Sequence, residues 1–191
     1  MKLPEAYYRS TDTLGLARDL LGKVLCTRIN GEYTAGMITE TEAYCGAEDK
    51  ACHAYGNRRT ARTETMFAAG GVAYVYLCYG IHHLFNVVTN EADVPHAILV
   101  RGVHPVDGVE KMLERRKQTK LTKRLSAGPG TLSQALGIHT SQTDTSLQSD
   151  LLWIEDRGIV IPEGQVEITP RIGVDYAGED AKLPYRFLTQ Q

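Results

Sequence analysis

The chain carries the sequence KVLCTRINGEYTAGMITETEAY at residues 23–44. The pair Asn30-Gly31 is a strong signal for a two-residue hairpin turn, because both residue types tolerate the positive φ angles of such a turn. The flanking stretches, residues 23–30 and 32–42, are rich in apolar and β-branched side chains and predict the two strands of the hairpin. We therefore place a long antiparallel hairpin near the start of the fold.

The rest of the chain predicts short strands with a few helices. A capped, leucine-rich helix is expected at residues 11–22, and a second at 106–117, which is acidic near its start and basic at its end. The turn at residues 126–131 leads into a short helix at 132–136. Residues 46–70 show no period and predict a long ordered loop with short helical turns. Further strands are predicted at residues 73–77, 84–89, 97–101, 151–155, 159–161 and 166–169.

These elements favour an α+β fold with a mainly antiparallel sheet, and 191 residues suit a single domain spanning 1–191. No apolar run is long enough to span a bilayer, and the first residues lack the apolar core of a signal peptide. The four cysteines show no CxxC spacing, which favours reduced thiols. We therefore expect a cytoplasmic protein without a membrane segment.

The formal net charge of −2 argues against a broadly basic surface, yet basic residues cluster locally. One group is Arg58, Arg59 and Arg62, and another lies within residues 111–124. Such stripes can bind phosphates even on a mildly acidic protein. A solvated helix face and loop is the alternative interpretation.

Two carboxylates in the second predicted strand are candidates for acid–base chemistry. Side chains at alternate strand positions share a face, so Glu40, Glu42 and Tyr44 are expected on one side. Neighbouring carboxylates discourage each other's ionisation, which can produce a functional base. Exposed acids on the polar face of an edge strand are the alternative.

Tyrosine is over-represented, with ten tyrosines against three phenylalanines and one tryptophan. Its flat face and polar hydroxyl suit a pocket that stacks a planar ligand. For Tyr74 and Tyr76 ordinary core packing is the alternative, whereas Tyr79 precedes Gly80 at a predicted turn, where its own fold can bury it poorly. A carboxylate beside such rings indicates hydrolysis of a bond to a planar base.

Isolated polar residues in apolar segments are a third kind of candidate. His53, Asn86 and Arg101 are of this type, although such residues are usually structural hydrogen-bonding groups. Possible metal ligands are Cys45, Cys52, His53, His82 and His83. Their spacing matches no standard zinc pattern, so we expect no metal site.

Taken in order, these motifs resemble the alkyladenine (3-methyladenine) DNA glycosylase family of the Mpg/Aag type. Each motif is weak alone, but the ordered set is specific and covers most of the chain. The resemblance implies a single α+β domain around a curved antiparallel sheet, with peripheral helices, a protruding hairpin, and no metal or organic cofactor. The matching motifs are ETEAY at 40–44, His53, MF at 66–67, YVY at 74–76, YG at 79–80, Asn86, LVR at 99–101, GP at 128–129, RIG at 171–173 and PYRF at 184–187.

The resemblance also implies catalytic roles. Glu42 matches the general base that activates the hydrolytic water. Arg101 and the backbone carbonyl of Ile172 match the groups that hold this water. Glu40 is expected to be structural support.

The remaining matched residues would bind the damaged nucleotide. Tyr44, His53 and Tyr76 match the residues that sandwich the flipped base, and Asn86 matches the one that crowds the 2-amino group of guanine. Tyr79 matches the side chain that enters the duplex from the minor groove. The implied reaction is release of alkylated or deaminated purines at the start of base excision repair.

The implied partner is double-stranded DNA containing damaged purines, bound by a monomer that is nucleoid-associated if bacterial. Expected contacts to the DNA backbone are Arg58, Arg59, Arg62, Lys120 and Lys123. Two other functions stay open at this point. The same pocket would suit a hydrolase of free purine nucleosides, and a non-catalytic nucleic-acid binder would keep the aromatic pocket but need neither Glu42 nor Arg101.

Overall fold

A computed structural model describes residues 1–189. Within this range the chain forms one eight-stranded antiparallel sheet with a few short helices. The helices are α1 Glu5–Tyr8, α2 Thr13–Asp19, α3 Val109–Arg116 and α4 Pro129–Leu136. The strands are β1 Val24–Ile29, β2 Glu32–Tyr44, β3 Ala73–Cys78, β4 His82–Thr89, β5 His96–Asp107, β6 Leu152–Glu155, β7 Val166–Thr169 and β8 Arg186–Thr189. The predicted α+β class and antiparallel sheet are confirmed.

The β1–β2 and β3–β4 hairpins have turns with left-handed backbone at both central residues. Asn30 and Gly31 join β1 to β2 with φ angles of 55° and 80°, as the sequence predicts. Tyr79 and Gly80 have φ angles of 52° and 73° in the connection between β3 and β4. This geometry matches the right-handed twist of the strands that it joins, so the second hairpin projects with Tyr79 at its tip.

The long strand β2 organises the sheet, whose main order is β3-β4-β5-β2-β1-β6. On one edge β2 pairs with β5 along most of its length. On the other edge it pairs first with β1, up to Met37, and then with β8 from Glu40 to Glu42. The register against β5 shifts on both sides of Glu40, and such a bulge bends and twists a strand. Residues 40–42 thus have strands on both edges, β5 and β8, at the point where the sheet bends.

The main core lies between the sheet and the helices. α2 packs on β2, whereas α4 packs on β4 and α3. Burial of these apolar faces is the main favourable term for the fold. Large side chains that are fully buried there are Tyr8, Leu20, Ile38, Phe85, Met112, Leu132 and Leu136. Among the described residues, no helix combines the length and apolar character that crossing a membrane requires.

The predicted loop at residues 46–70 is confirmed and contains three short 3-10 turns. The strand predicted at residues 159–161 is wrong, because this segment pairs with no strand. Ile159 and Ile161 instead pack into two hydrophobic clusters, and Pro162, which follows them, has no amide hydrogen for a ladder. The apolar pattern there serves packing and not pairing.

The helix predicted at residues 106–117 begins later than expected. β5 continues to Asp107 because β2 is long enough to pair with it, through Ala35 opposite Asp107. Gly108, with a φ of 70°, then separates the strand from α3 at Val109. α1 and β8, with four residues each, were not predicted from the pattern.

Gly70 provides a test of this packing. A Cβ at Gly70 would lie 2.2 Å from the carbonyl oxygen of Tyr8, an oxygen already bonded to the amide of Asn90 at 2.9 Å. We expect Gly70→Ala to lower the free energy of unfolding by about 1–3 kcal/mol, measured by chemical denaturation. Gly164→Ala is the control, since a Cβ there has no neighbour within 4 Å. Equal stability of the two variants would contradict this packing.

Candidate functional site

A cavity of about 300 Å³ opens among β2, β3, β4 and β5. It collects seven of the residues to which the resemblance assigns a role, namely Tyr44, His53, Tyr76, Tyr79, Asn86, Arg101 and Ile172. Its other walls include Met66, Tyr74, Leu84, Leu99, Pro129, Val174 and Tyr176. The lining is mostly aromatic and apolar with a few polar groups, which is typical of small-molecule sites.

Glu42 lies behind this lining, and its side chain is fully buried. Its Oε1 accepts the backbone amide of Ile172 at 2.7 Å. Its Oε2 accepts the hydroxyl of Tyr44 at 2.8 Å, and an Arg101 nitrogen lies 3.4 Å from the same oxygen. A carboxylate offers roughly four acceptor positions. Glu42 can therefore accept one further hydrogen on Oε1.

Arg101 sits between two carboxylates. Its Nε donates to Glu40 Oε1 at 2.8 Å, while its other end faces Glu42. Glu40 Oε1 also accepts Arg186 Nε at 2.6 Å. Burial alone would lower the pKa of Arg101, but the charges of Glu42 and Glu40 raise it above its ordinary value. The two acids thus share the face that the alternation predicts, with Arg101 between them.

The aromatic wall is built from rings in direct contact. Tyr74 and Tyr76 have centroids 5.6 Å apart, and His53 lies edge-on to Tyr76 at 4.6 Å. Burial raises the pKa of Tyr76, and burial followed by the charge of Glu42 raises that of Tyr44. Both tyrosines therefore stay neutral phenols at physiological pH and present uncharged π faces.

His53 is also held uncharged. Its Nδ1 lies 3.0 Å from the Tyr74 hydroxyl. Burial, followed by the charge of Arg62, lowers the pKa of His53 to about 4. At neutral pH the imidazole is thus a neutral flat group and does not repel a cationic ligand.

Asn86 is buried in the pocket wall on β4. Its amide nitrogen donates to the carbonyl oxygens of Tyr74 at 3.1 Å and Leu84 at 3.2 Å. Both amide hydrogens are used in this way, which fixes the side chain. What Asn86 can offer a ligand is its carbonyl oxygen.

Tyr79 differs from the other tyrosines because it is 90% exposed. It lines the cavity mouth from the tip of the β3–β4 hairpin. Ile81, in the same connection, is 70% exposed. Large apolar groups left in water together mark a contact surface more often than a single one does.

The predicted backbone contacts fall into different environments. Arg59 pairs with Glu64 and Asp93 at 2.7 Å, so its charge is largely compensated. Arg58 and Arg62 form no ion pair within residues 1–189, and the Arg62 guanidinium lies 5.2 Å from the Tyr76 ring centroid. Lys120 and Lys123 are exposed on the segment before α4.

The start of the second basic cluster serves the fold. Arg115 bonds to Thr34 and to the carbonyl oxygen of Ala135. Arg116 donates to the carbonyl oxygen of Leu125. For these residues the structural interpretation of the basic pattern is the right one.

Sequence reasoning gave Arg171 no role, although it stands in the RIG motif. The structure buries it against Asp49, with its guanidinium 4.8 Å from the Tyr44 ring centroid. Ile172 contacts Glu42 through its amide, and the role expected for its carbonyl stays a prediction. The pattern of acids and tyrosines that points to the other site residues gives no information on Arg171, because its burial against Asp49 is a feature of the tertiary structure.

A larger concavity of about 490 Å³ shares no lining residue with the tyrosine cavity. Its carboxylates would repel a phosphate backbone; they are Glu48, Asp49, Asp93 and Asp180. Across residues 1–189, no three His, Cys, Asp or Glu side chains converge as a metal-binding group. The tyrosine cavity therefore remains the candidate site.

The chain is similar to a described protein family and to named proteins over nearly its whole length. A family model described as "Methylpurine-DNA glycosylase (MPG)" matches residues 6–191. A protein of Chlamydia felis (strain Fe/C-56) is 47% identical over 187 residues, which cover 97% of this chain and 95% of the relative. A protein of Bacillus cereus (strain AH820) is 47% identical over 199 residues, with 98% and 95% covered. Both carry the name "Putative 3-methyladenine DNA glycosylase".

The lowered pKa of His53 predicts how stability depends on pH. The unfolded chain binds a proton at His53 near the ordinary pKa of 6.5, whereas the folded chain does so only near 4. The contribution of neutral His53 to the free energy of unfolding is therefore fully present above pH 6.5 and is lost as the pH drops toward 4. Relative to His53→Gln, the wild type should lose up to about 3 kcal/mol over this window. Denaturation of both proteins from pH 7 to 4 measures it, and parallel curves would contradict it.

Proposed function

Because the chain belongs to the methylpurine-DNA glycosylase family, whose members hydrolyse N-glycosyl bonds in DNA, we propose how its cavity carries out that reaction. The enzyme flips an alkylated or deaminated purine of the 3-methyladenine type out of the duplex and into the tyrosine cavity. A water activated by Glu42 then hydrolyses the bond to deoxyribose and starts base excision repair. One observation carries this proposal, namely a buried carboxylate behind a cavity walled by neutral aromatic rings.

The bond changes follow from these groups. The water oxygen attacks C1′ of the deoxyribose, and the bonding pair of the C1′–N bond leaves with the purine. Glu42 takes a proton from the water, and its charge stabilises oxocarbenium character at C1′. Arg101 and the backbone carbonyl of Ile172 hold the water. An N3- or N7-alkylated purine carries a positive charge, so it leaves as a neutral base without needing an acid.

The wall of the cavity suits such a cation. Tyr44, Tyr76 and His53 are uncharged at neutral pH, for the reasons of burial given above. A cation over a tyrosine face gains about 0.5–2 kcal/mol beyond ordinary stacking. Asn86, held rigidly by its two hydrogen bonds, takes up the space that the 2-amino group of guanine needs. Normal guanine is thereby disfavoured.

Flipping requires a group to fill the gap in the stack. Extruding a damaged nucleotide costs a few kcal/mol, and an inserted side chain offsets part of that cost. Tyr79 suits this task because it is exposed on the hairpin at the cavity mouth. The DNA backbone is contacted by four basic side chains, those of Arg58, Arg62, Lys120 and Lys123. Arg59 binds the backbone more weakly because two ion pairs compensate its charge. The monomeric state and the cytoplasmic location stay predictions.

Glu42→Gln tests the chemical step. The amide keeps the size of the side chain but cannot take the proton, so release of 3-methyladenine from methylated duplex should fall by about 10²- to 10⁴-fold. Binding to a duplex with a tetrahydrofuran abasic analogue should change little. Glu155→Gln, on β6 and outside the cavity, is the matched control. Base release by Glu42→Gln at the wild-type rate would overturn the mechanism.

Tyr79→Ala separates action on DNA from action on a free nucleoside. Loss of the ring should slow excision from duplex DNA by about tenfold or more, because the inserted ring offsets part of the few kcal/mol that extruding the nucleotide costs. Tyr79→Phe keeps the ring and should retain excision. Cleavage of free inosine, a deaminated purine nucleoside without a 2-amino group, by the same variants is the comparison. If the wild type cleaves that nucleoside faster than duplex, and Tyr79→Ala affects neither, the protein is a nucleoside hydrolase.

A further inference from the structure

We propose that Arg171 is a positioning residue for base release, acting on both the catalytic carboxylate and the pocket wall. The inference rests on the proposed role of Glu42. Arg171 lies beside the amide that bonds Glu42 and beneath the ring of Tyr44. One side chain thus couples the base that activates water to the surface that stacks the purine.

The segment that holds the Ile172 amide has no regular structure of its own. It follows β7, which ends at Thr169, and neither Ile172 nor Gly173 belongs to a helix or strand. Ile172 is 50% exposed, and its amide is nevertheless 2.7 Å from Glu42 Oε1. Something other than strand pairing must keep this peptide in place.

The buried side chain of Arg171 provides that anchor. Its Nη1 donates to the carbonyl oxygen of Ala43 at 2.9 Å, between the two site residues of β2. Its Nη2 donates to Asp49 Oδ1 at 2.8 Å and to the carbonyl oxygen of Asp180 at 3.1 Å. These bonds join the segment to β2 and to two loops at once.

Asp49 completes a pair from which water is almost excluded, with side-chain exposures of 0% for Arg171 and 2% for Asp49. The same carboxylate accepts the backbone amides of Cys45 and Ala51. Burial alone would lower the pKa of Arg171, but Asp49 raises it above its ordinary value. Separating the two side chains would leave an unpaired buried charge, which is strongly unfavourable. The pair therefore holds Arg171 and Asp49 together.

The guanidinium also lies over two aromatic rings. It lies 4.8 Å from the centroid of Tyr44 and 5.2 Å from that of Tyr185. Tyr44 lines the cavity and donates to Glu42, so fixing its ring fixes two parts of the site. Lysine can supply the charge but neither the forked hydrogen bonds nor the flat stacking surface.

Arg171→Lys tests the proposal. Displacement of the reacting groups by about 1 Å costs on the order of 10- to 100-fold in rate. We expect a loss of that size in the single-turnover rate of base release from methylated duplex. The Kd for a duplex with a tetrahydrofuran abasic analogue should stay within about twofold, because that ligand has no base for Tyr44 to stack. In the Glu42→Gln background, Arg171→Lys should cost much less.

Arg157→Lys is the control, since Arg157 is likewise an ion-paired arginine, with Asp107 and Glu155 as its partners, but lies outside the cavity. It should release base at the wild-type rate, measured well below the melting temperatures of both variants. If Arg171→Lys does not fold, Asp49→Asn keeps the shape and one acceptor and should show a smaller loss of the same kind. Equal losses in release and abasic binding, or no loss, would overturn the role of Arg171. Failure of the proposed function would appear separately, as a wild type that releases no base.

Discussion

The burial of one charged group, the Glu42 carboxylate, is the constraint on which this site depends. Moving a carboxylate out of water costs several kcal/mol unless hydrogen bonds and an opposite charge replace the lost solvent. The replacements come from three places: a hydroxyl of β2 at Tyr44, a guanidinium of β5 at Arg101, and an amide after β7 at Ile172. Burying this carboxylate is therefore a problem of architecture, since groups from three places in the fold must meet at it.

The sheet solves that problem through the length of β2. Its first half forms a hairpin with β1, and its second half has β5 on one edge and β8 on the other. β8 brings Arg186 against Glu40, which in turn bonds Arg101. The bulge at Glu40 bends the strand at this point. Glu40 is therefore tied to the site through Arg101, although it is not the buried acid.

How much of this could be predicted depends on whether the cause is local. The Asn30-Gly31 turn, the strand at 73–77 and the exposed Tyr79 follow from residues close in sequence, and so does the shared face of Glu40 and Glu42. The resemblance then assigned Glu42 and Arg101 to one site, and the structure brings them within 3.4 Å. The role of Arg171 could not be found in this way, because Asp49 and Ala43, which tie it to the site, are 122 and 128 residues away. Two wrong predictions have a related cause, since contacts distant in sequence override the local pattern. Packing in the core explains the strand predicted at 159–161, and pairing with the long β2 explains why the helix predicted from residue 106 begins only at Val109.

The same long separations have a consequence for how the enzyme is made. The Ile172 amide and Glu42 are 130 residues apart in the chain, and Arg186 and Glu40 are 146 apart. During translation, a chain that has emerged only as far as β7 already contains the tyrosines of β2 and β3 and the hairpin that carries Tyr79. In that chain Glu42 still lacks the bond from the Ile172 amide, and β2 lacks β8 on one edge. Contacts of such long range form late in folding. Synthesis therefore completes the hairpin that carries Tyr79 before it completes the surroundings of the buried carboxylate, which are assembled only when the segment after β7 and strand β8 reach β2.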